Sequence, residues 1–394
     1  MLQGNKWKEA LMLTRRNLLQ GTLAGLSVLD VSGRSAYAAR SGTDYDVVIL
    51  GAGVAGLAAA AELATMDSDL KVLVLEARDR IGGRVHSVHH ERFDRDADLG
   101  AQYLLHSEGA DWEVVDQLGL KVETLAGGGQ TLFPGMGELA RALFESSTGK
   151  VQLSSEVIQV HWRYGLVGVY YMNRGLEGAV TARRLISTLP VGVLQDAPEL
   201  FKPALAPAKT EAMRLLPKRA AISVAMMFGA EHARLSGVEP QWIRESEDQR
   251  LRAFGTGFRD EVLLEAQYTG ARAEALAGQS RKILQALTVR RFSEALESNP
   301  NPADALWESV VDWRDEEFSR GFGSVVLSTA QHLTLAESMG DTVFFAGEAT
   351  ADPAVAGTVH GAYMSGERAA REVALSLNIG RAAPDPNEAL FELL

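Results

Sequence analysis

Cysteine is absent from the 394 residues. Disulfides, thiolate metal sites, a cysteine nucleophile and any cofactor tethered through sulfur are therefore excluded. Long apolar runs are scarce. Residues 18–31 form the best candidate, but Gln20, Asp30 and two glycines interrupt them, so the stretch is too short and too polar to cross a bilayer. Positive charge is in deficit: 39 Lys and Arg stand against 51 Asp and Glu, a formal net charge of -12. With no basic cluster a nucleic acid partner is excluded, because neutralising phosphates needs grouped Lys and Arg. G-x-S-x-G and Walker signatures are missing too. The eight histidines include His86, His89 and His90, which lack a carboxylate at metal spacing, so no metal site is expected.

What is present is a globular composition, 46% hydrophobic and 23% charged, which sets aside disordered, collagenous and multi-span membrane classes. A chain of this length is expected to form two intimately packed domains. At the N-terminus, Thr14-Arg15-Arg16-Asn17-Leu18-Leu19-Gln20 precedes the mildly apolar stretch and then Ala36-Tyr37-Ala38. A charged region, a short apolar region and an A-x-A site resemble a twin-arginine signal peptide over residues 1–38. That predicts export by the twin-arginine machinery to the periplasm or beyond.

The next segment carries the most chemistry. Asp46-Val47-Val48-Ile49-Leu50 is a continuously apolar, β-branched run of the kind a strand buried on both faces requires. Gly51-Ala52-Gly53-Val54-Ala55-Gly56 follows, then an Ala-rich helical stretch over 57–64 and a second run, Val72-Leu73-Val74-Leu75, ending in Glu76. In a βαβ unit Gly51, Gly53 and Gly56 allow a tight turn and close approach to a pyrophosphate, the helix N-terminus offers N–H donors, and Glu76 accepts from ribose hydroxyls. This spacing predicts a dinucleotide site.

Beyond Glu76 come Ala77-Arg78-Asp79-Arg80-Ile81-Gly82-Gly83-Arg84 and Asp98-Leu99-Gly100-Ala101-Gln102. Near the C-terminus lie Val343-Phe344-Phe345-Ala346-Gly347-Glu348-Ala349-Thr350 and Gly357-Thr358-Val359-His360-Gly361. Between them stand Pro134-Gly135-Met136-Gly137, Thr188-Leu189-Pro190-Val191-Gly192 and Trp313-Arg314-Asp315 leading to Phe318-Ser319-Arg320-Gly321. This ordered set resembles the flavin-dependent amine oxidase family, in its polyamine and monoamine oxidase flavour. The resemblance implies an α/β (α+β) fold, in which a Rossmann-like FAD-binding domain (44–105, 131–195 and 335–375) is interleaved with a mixed-sheet substrate domain (106–130 and 196–334). Residues 376–394 would be a tail. It implies FAD contacts at Gly51, Gly53, Ala55, Gly56, Glu76, Ala77, Arg78, Gly83, Arg84, Gly100, Ala101, Gln102, Val157, Gly347, Glu348, Thr358 and Val359. Arg84 would lie near the pyrophosphate, Val157 near adenine, Glu348 near the ribityl chain, and Thr358 and Val359 along the flavin ring.

The lysine that holds a water near flavin N5 in the family falls, by register, on Ser223, and the two flavin-facing aromatic positions fall on Gly323 and Thr358, with Phe322 adjacent. These residues are the expected substrate cavity. The implied activity is oxidation of an amine C–H to an imine by hydride transfer to FAD, with reoxidation by O2 to H2O2. FAD would be noncovalent, since the family's attachment uses a cysteine. An FAD-dependent L-amino-acid oxidase or desaturase, and a flavin protein without turnover, are the alternatives. With only about thirty residues between Gln102 and Pro134, a homo-oligomer could complete the cavity.

In secondary structure, 151–173 is expected to alternate as a β-meander, Ala221 to Phe228 and Val262 to Tyr268 to form strands, and Ser280 to Leu296 a helix. Thr358 to Arg371 is expected to be helical. Met226, Met227 and Phe228 are expected in the core.

Overall fold

A computed structural model describes residues 42–104, 113–125, 130–229, 241–246, 248–255, 261–296, 300–324 and 328–379. The expected signal peptide, 1–38, and residues 380–394 of the expected tail lie outside them. The run after Asp46 forms β1 (Tyr45–Leu50), followed by α1 (Val54–Met66) and β2 (Val72–Leu75). Next come β3 (Lys150–Gln152), β4 (Ser155–Arg163), β5 (Leu166–Asn173), β6 (Leu176–Ser187) and β7 (Phe201–Lys202). A second group comprises β8 (Ala221–Phe228), β9 (Gln241–Ser246), β10 (Gln249–Gly255), β11 (Val262–Thr269) and β12 (Trp307–Asp312). The chain then returns through β13 (Val343–Phe345) to α2 (Val359–Ser376).

The larger sheet runs β7-β4-β5-β6-β1-β2-β3, with β13 beside β6. It is mixed. Pairs β6/β1, β1/β2, β2/β3 and β13/β6 are parallel, while β4/β5 and β5/β6 are antiparallel. Twelve-residue β6 serves both halves: its start pairs with β5 and its end with β1. The second sheet, β9-β10-β11-β8-β12, is antiparallel throughout. Both lie in one compact unit that begins at Tyr45.

Side-chain alternation explains the layers. On β1, Val47 and Ile49 pack with Leu57, Leu63, Ala369 and Val373 of the two helices, whereas Val48 and Leu50 pack with Val160, Val167 and Phe345 on the opposite face. Both faces are covered, which is why the run is apolar without alternation. In the second sheet Ile222, Val224, Met226 and Phe228 meet Leu284, Val289 and Phe292 of the helix Arg281–Leu296. Ala225 and Met227 point the other way, toward Ala97 and Leu99. That second face turns the sheet toward the segment 98–102.

Two glycines are required by close approach. A Cβ on Gly56 would sit 2.0 Å from the carbonyl oxygen of Gly51, so α1 can lie against β1 only because position 56 has no side chain. A Cβ on Gly366 of α2 would come 2.2 Å from the Ala55 carbonyl oxygen, which fixes the crossing of the two helices.

Candidate functional site

The turn between β1 and α1 is built for an anion. Gly51 has φ +101, and a side chain there would also strike Thr188 Oγ1. Gly53 is the N-cap of α1 and supplies no side-chain cap, so no side chain competes for the first-turn N–H groups. Ala55 lies in that turn. The turn carrying Gly82 and Gly83 is laid against it: the Gly82 N–H donates to the Ala52 carbonyl at 2.8 Å, and a Cβ on Gly83 would be 3.2 Å from Gly53 Cα. Glu76 is buried at 3% exposure and does more than the sequence assigned to it. It accepts from the Ala52 N–H at 2.8 Å and the Arg78 N–H at 2.9 Å, bracing the loop itself.

Three arginines gather beside this turn. Arg78 forms a two-point pair with Glu316 and donates to Ser319 Oγ at 2.8 Å, which ties the segment after Ala77 to the loop 313–321. Arg84 donates to Glu348 Oε1 at 2.8 Å and to the Phe322 carbonyl at 3.3 Å, and Ser324 Oγ donates to Glu348 Oε2 at 2.7 Å. Motifs 264 residues apart thus meet in one ion pair. Arg80 donates to the Ile81 and Gly83 carbonyls, and burial first, then Arg78, lowers its pKa to about 10. Burial, followed by Arg80 and Arg78, pushes His86 down to about 4, so its ring is neutral.

At the C-terminal motif, the Gly347 N–H donates to Ser365 Oγ at 2.9 Å. Thr358 is the N-cap of α2: its hydroxyl accepts from the Gly361 N–H at 2.9 Å and donates to the Val355 carbonyl. Val359 opens that helix, and Val157 is half-buried beside the sheet core. A narrow cleft is lined by Arg84, Ser187, Leu189, Gly347, Glu348 and Thr350.

On the second sheet's inner face, Ser223 of β8 is fully buried and accepts from Gln267 Nε2 at 3.3 Å. The same amide donates to the Gly100 carbonyl at 2.8 Å. Gly100 is forced to be glycine, since a Cβ would sit 2.0 Å from the Arg84 carbonyl oxygen, and the Ala101 N–H donates to that carbonyl at 3.0 Å. Phe322 rests its ring on Trp313, 5.8 Å between centroids. Next to it, a Cβ on Gly323 would meet no atom of the described residues within 4 Å apart from its chain neighbours. Arg252 is wholly buried and bonded to Asp98, Glu265 and the Gln102 carbonyl. Its two Nη atoms are thereby committed, while Nε has no partner among the described residues.

Sequence reasoning missed Arg252, Glu265, Gln267 and Ser324 at this site. A signal existed for two of them: Glu265 and Gln267 are polar at alternate positions of an otherwise apolar strand, VLLEAQYT.

The residues present fit a dinucleotide. Besides the glycine cradle, Gln102 Oε1 and Ser187 Oγ are buried without a hydrogen-bond partner among the described residues, as atoms left for a ligand or an ordered water are. Fold and cradle together define a Rossmann-like dinucleotide-binding protein. The pattern described as flavin containing amine oxidoreductase matches residues 123–374, and that of an NAD(P)-binding Rossmann-like domain matches 49–118. The chain belongs to the flavin containing amine oxidoreductase family, and FAD is the cofactor this membership assigns.

Among curated relatives, flavin-containing amine oxidase A of Bos taurus is 41% identical over 81 residues, covering 21% of this chain and 15% of that protein. Flavin-containing amine oxidase B of Homo sapiens is 41% identical over 76 residues, 19% and 14% of the two chains. The matched stretch thus spans about 15% of the length of these relatives. Among solved structures, cyclohexylamine oxidase from Brevibacterium oxydans IH-35A superposes with a TM-score of 0.68 at 17% identity, covering 85% of this chain and 100% of that one. Putrescine oxidase bound to putrescine gives 0.66 at 17% identity, covering 84% and 99%. These likenesses describe the fold.

Proposed function

We propose that the protein is an FAD-dependent oxidase that converts an amine to an imine, with O2 as the final acceptor. The observation that carries this reading is the Arg84–Glu348–Ser324 chain, which draws the dinucleotide turn, the C-terminal motif and the edge of the expected substrate cavity into one hydrogen-bonded group. FAD, when bound, supplies the acceptor for a hydride from the carbon next to nitrogen. The protein's own groups would hold it: the first-turn amides of α1 would donate to the pyrophosphate, and Glu76 holds the turn in place. The space beside Gly323 is what the substrate fills. Arg219 is the strand partner of Gly323, and Arg84, bonded to the Phe322 carbonyl, is paired with Glu348. A neighbouring guanidinium disfavours an ammonium ion, so an alkylamine, whose ordinary pKa is about 10, is more easily bound there as the neutral base.

Two measurements test this. Acid precipitation should release all yellow colour into the supernatant, because no cysteine is available for a thioether; colour kept in the pellet overturns the noncovalent assignment. Anaerobic mixing with putrescine, spermidine, spermine, cyclohexylamine and simple monoamines should bleach the flavin colour for at least one, and aerobic mixing should release peroxide. Bleaching by none of them sinks the amine reading.

The proposal extends to location. Arg15-Arg16 and Ala36-Tyr37-Ala38 support export by the twin-arginine route to the periplasm or medium, in a folded and cofactor-loaded state. Replacing both arginines by Lys should leave the precursor in the cytoplasm. Unchanged export of that double variant refutes the route.

A further inference from the structure

The segment 98–102 is gripped through its main chain by side chains of the second sheet and by Trp313, which follows β12. Glu265 Oε1 accepts from the Asp98 N–H at 2.6 Å, Trp313 Nε1 donates to the Leu99 carbonyl at 2.7 Å, Gln267 Nε2 donates to the Gly100 carbonyl at 2.8 Å, and Arg252 donates to the Gln102 carbonyl. Glu265 and Gln267 are two apart on β11 and so share its inner face, roughly 6.6 Å from each other along the strand. Their targets, Asp98 and Gly100, are also two apart, and one side chain reads an N–H while the other reads a C=O. A packing role alone would be met more cheaply by apolar residues, since burying polar and charged groups costs free energy that hydrogen bonds only offset.

We propose that β11 acts as a ruler for the cofactor-facing segment, with Gln267 as the positioning residue that sets Gly100, Ala101 and Gln102 against FAD and couples their height to Ser223. The inference rests on the FAD reading above. Gln267 is 1% exposed, and its one amide group bridges the Gly100 carbonyl and Ser223 Oγ, so a shift on either side is passed to the other. Gln102 Oε1, buried and without a partner among the described residues, belongs to the segment so held.

The test is the FAD dissociation constant of the holoprotein, read by flavin fluorescence between pH 5 and 8, always as a ratio to wild type at the same pH. The groups around position 267 are Arg250 and Arg252 on β10, Ser223 on β8, Glu265 on β11 and Asp98 opposite. Gln267→Glu places a carboxylate before the Gly100 carbonyl. Affinity should fall about 10-fold at pH 8 and return to within about 2-fold of wild type near pH 5, where the carboxyl regains a proton to donate. Gln267→Met, similar in volume and without a donor, should lose about 5-fold at every pH. If Gln267→Glu does not fold, the Met variant alone decides. Wild-type affinity in the Met variant, or an equal loss in both variants at every pH, overturns the proposal. Wild-type protein that takes up no FAD refutes the cofactor reading itself, and is told apart because no variant is needed to see it.

Discussion

Below about pH 7 Glu265 keeps a proton that the unfolded chain would release at that pH. Burial, and after it the neighbouring Asp98, raises it to about 7 against the opposing pull of Arg252, and burial likewise raises Asp98. Between its ordinary value near 4.5 and about 7 the folded state binds more protons than the unfolded one, so unfolding free energy falls as pH rises across that window. A neutral residue there removes the dependence. In denaturant titrations, the stability of Glu265→Gln relative to wild type should shift in the variant's favour from pH 5 to pH 8; a constant difference would mean that Glu265 is ionised throughout. The alternation of Glu265 and Gln267 in an apolar strand marked both as unusual, but their roles, like that of Arg252, were hidden because buried polar residues acquire meaning only from partners far along the chain. Gly51, Gly53, Gly56 and Glu76 were legible for the opposite reason. Phosphate approach demands glycines and an acid at set intervals within one βαβ unit, so the constraint is local.

Elements were legible wherever periodicity outran the caps. The apolar run of β1, the strands β8 and β11 and the helix Arg281–Leu296 stand where alternation and helical spacing put them. Boundaries moved where tertiary contacts decided them. Helix α1 begins at Val54 inside the glycine motif, since Gly56 is needed for its contact with β1 and not to break it. Helix α2 runs on past Arg371 to Ser376 because Val373 and Ala374 are buried. The two-residue strands Ser87–Val88 and Ala97–Asp98, which seat the segment 98–102, are too short to carry a pattern. Gly56→Ala tests the closest contact: with 2.0 Å to a backbone oxygen the helix must shift, and the expected loss is about 3 kcal/mol together with weaker FAD binding. A calorimetric midpoint equal to wild type would show that α1 has room to move.

At the scale of the whole molecule, the cofactor region draws on the first and last strands of the larger sheet and on the inner face of the second. A ligand held by all of them stabilises them together. Excess FAD at about 100 times its dissociation constant should raise the unfolding free energy by about 2.7 kcal/mol, and near-ultraviolet and far-ultraviolet signals should melt in one step; separate transitions would mean that the sheets respond independently. The order of strands also has a temporal side. β1 lies between β2 and β6, and β13 joins β6 only at residue 343, while Glu348 is the partner of Arg84. A ribosome making this chain delivers the glycine turn early and the residues that complete it some 300 residues later. At the usual 5–20 residues per second, the half-built nucleotide turn waits about 15–60 seconds for its other half. Cofactor capture is thus a late event in synthesis, and a chain truncated before β13 would leave the ribosome colourless.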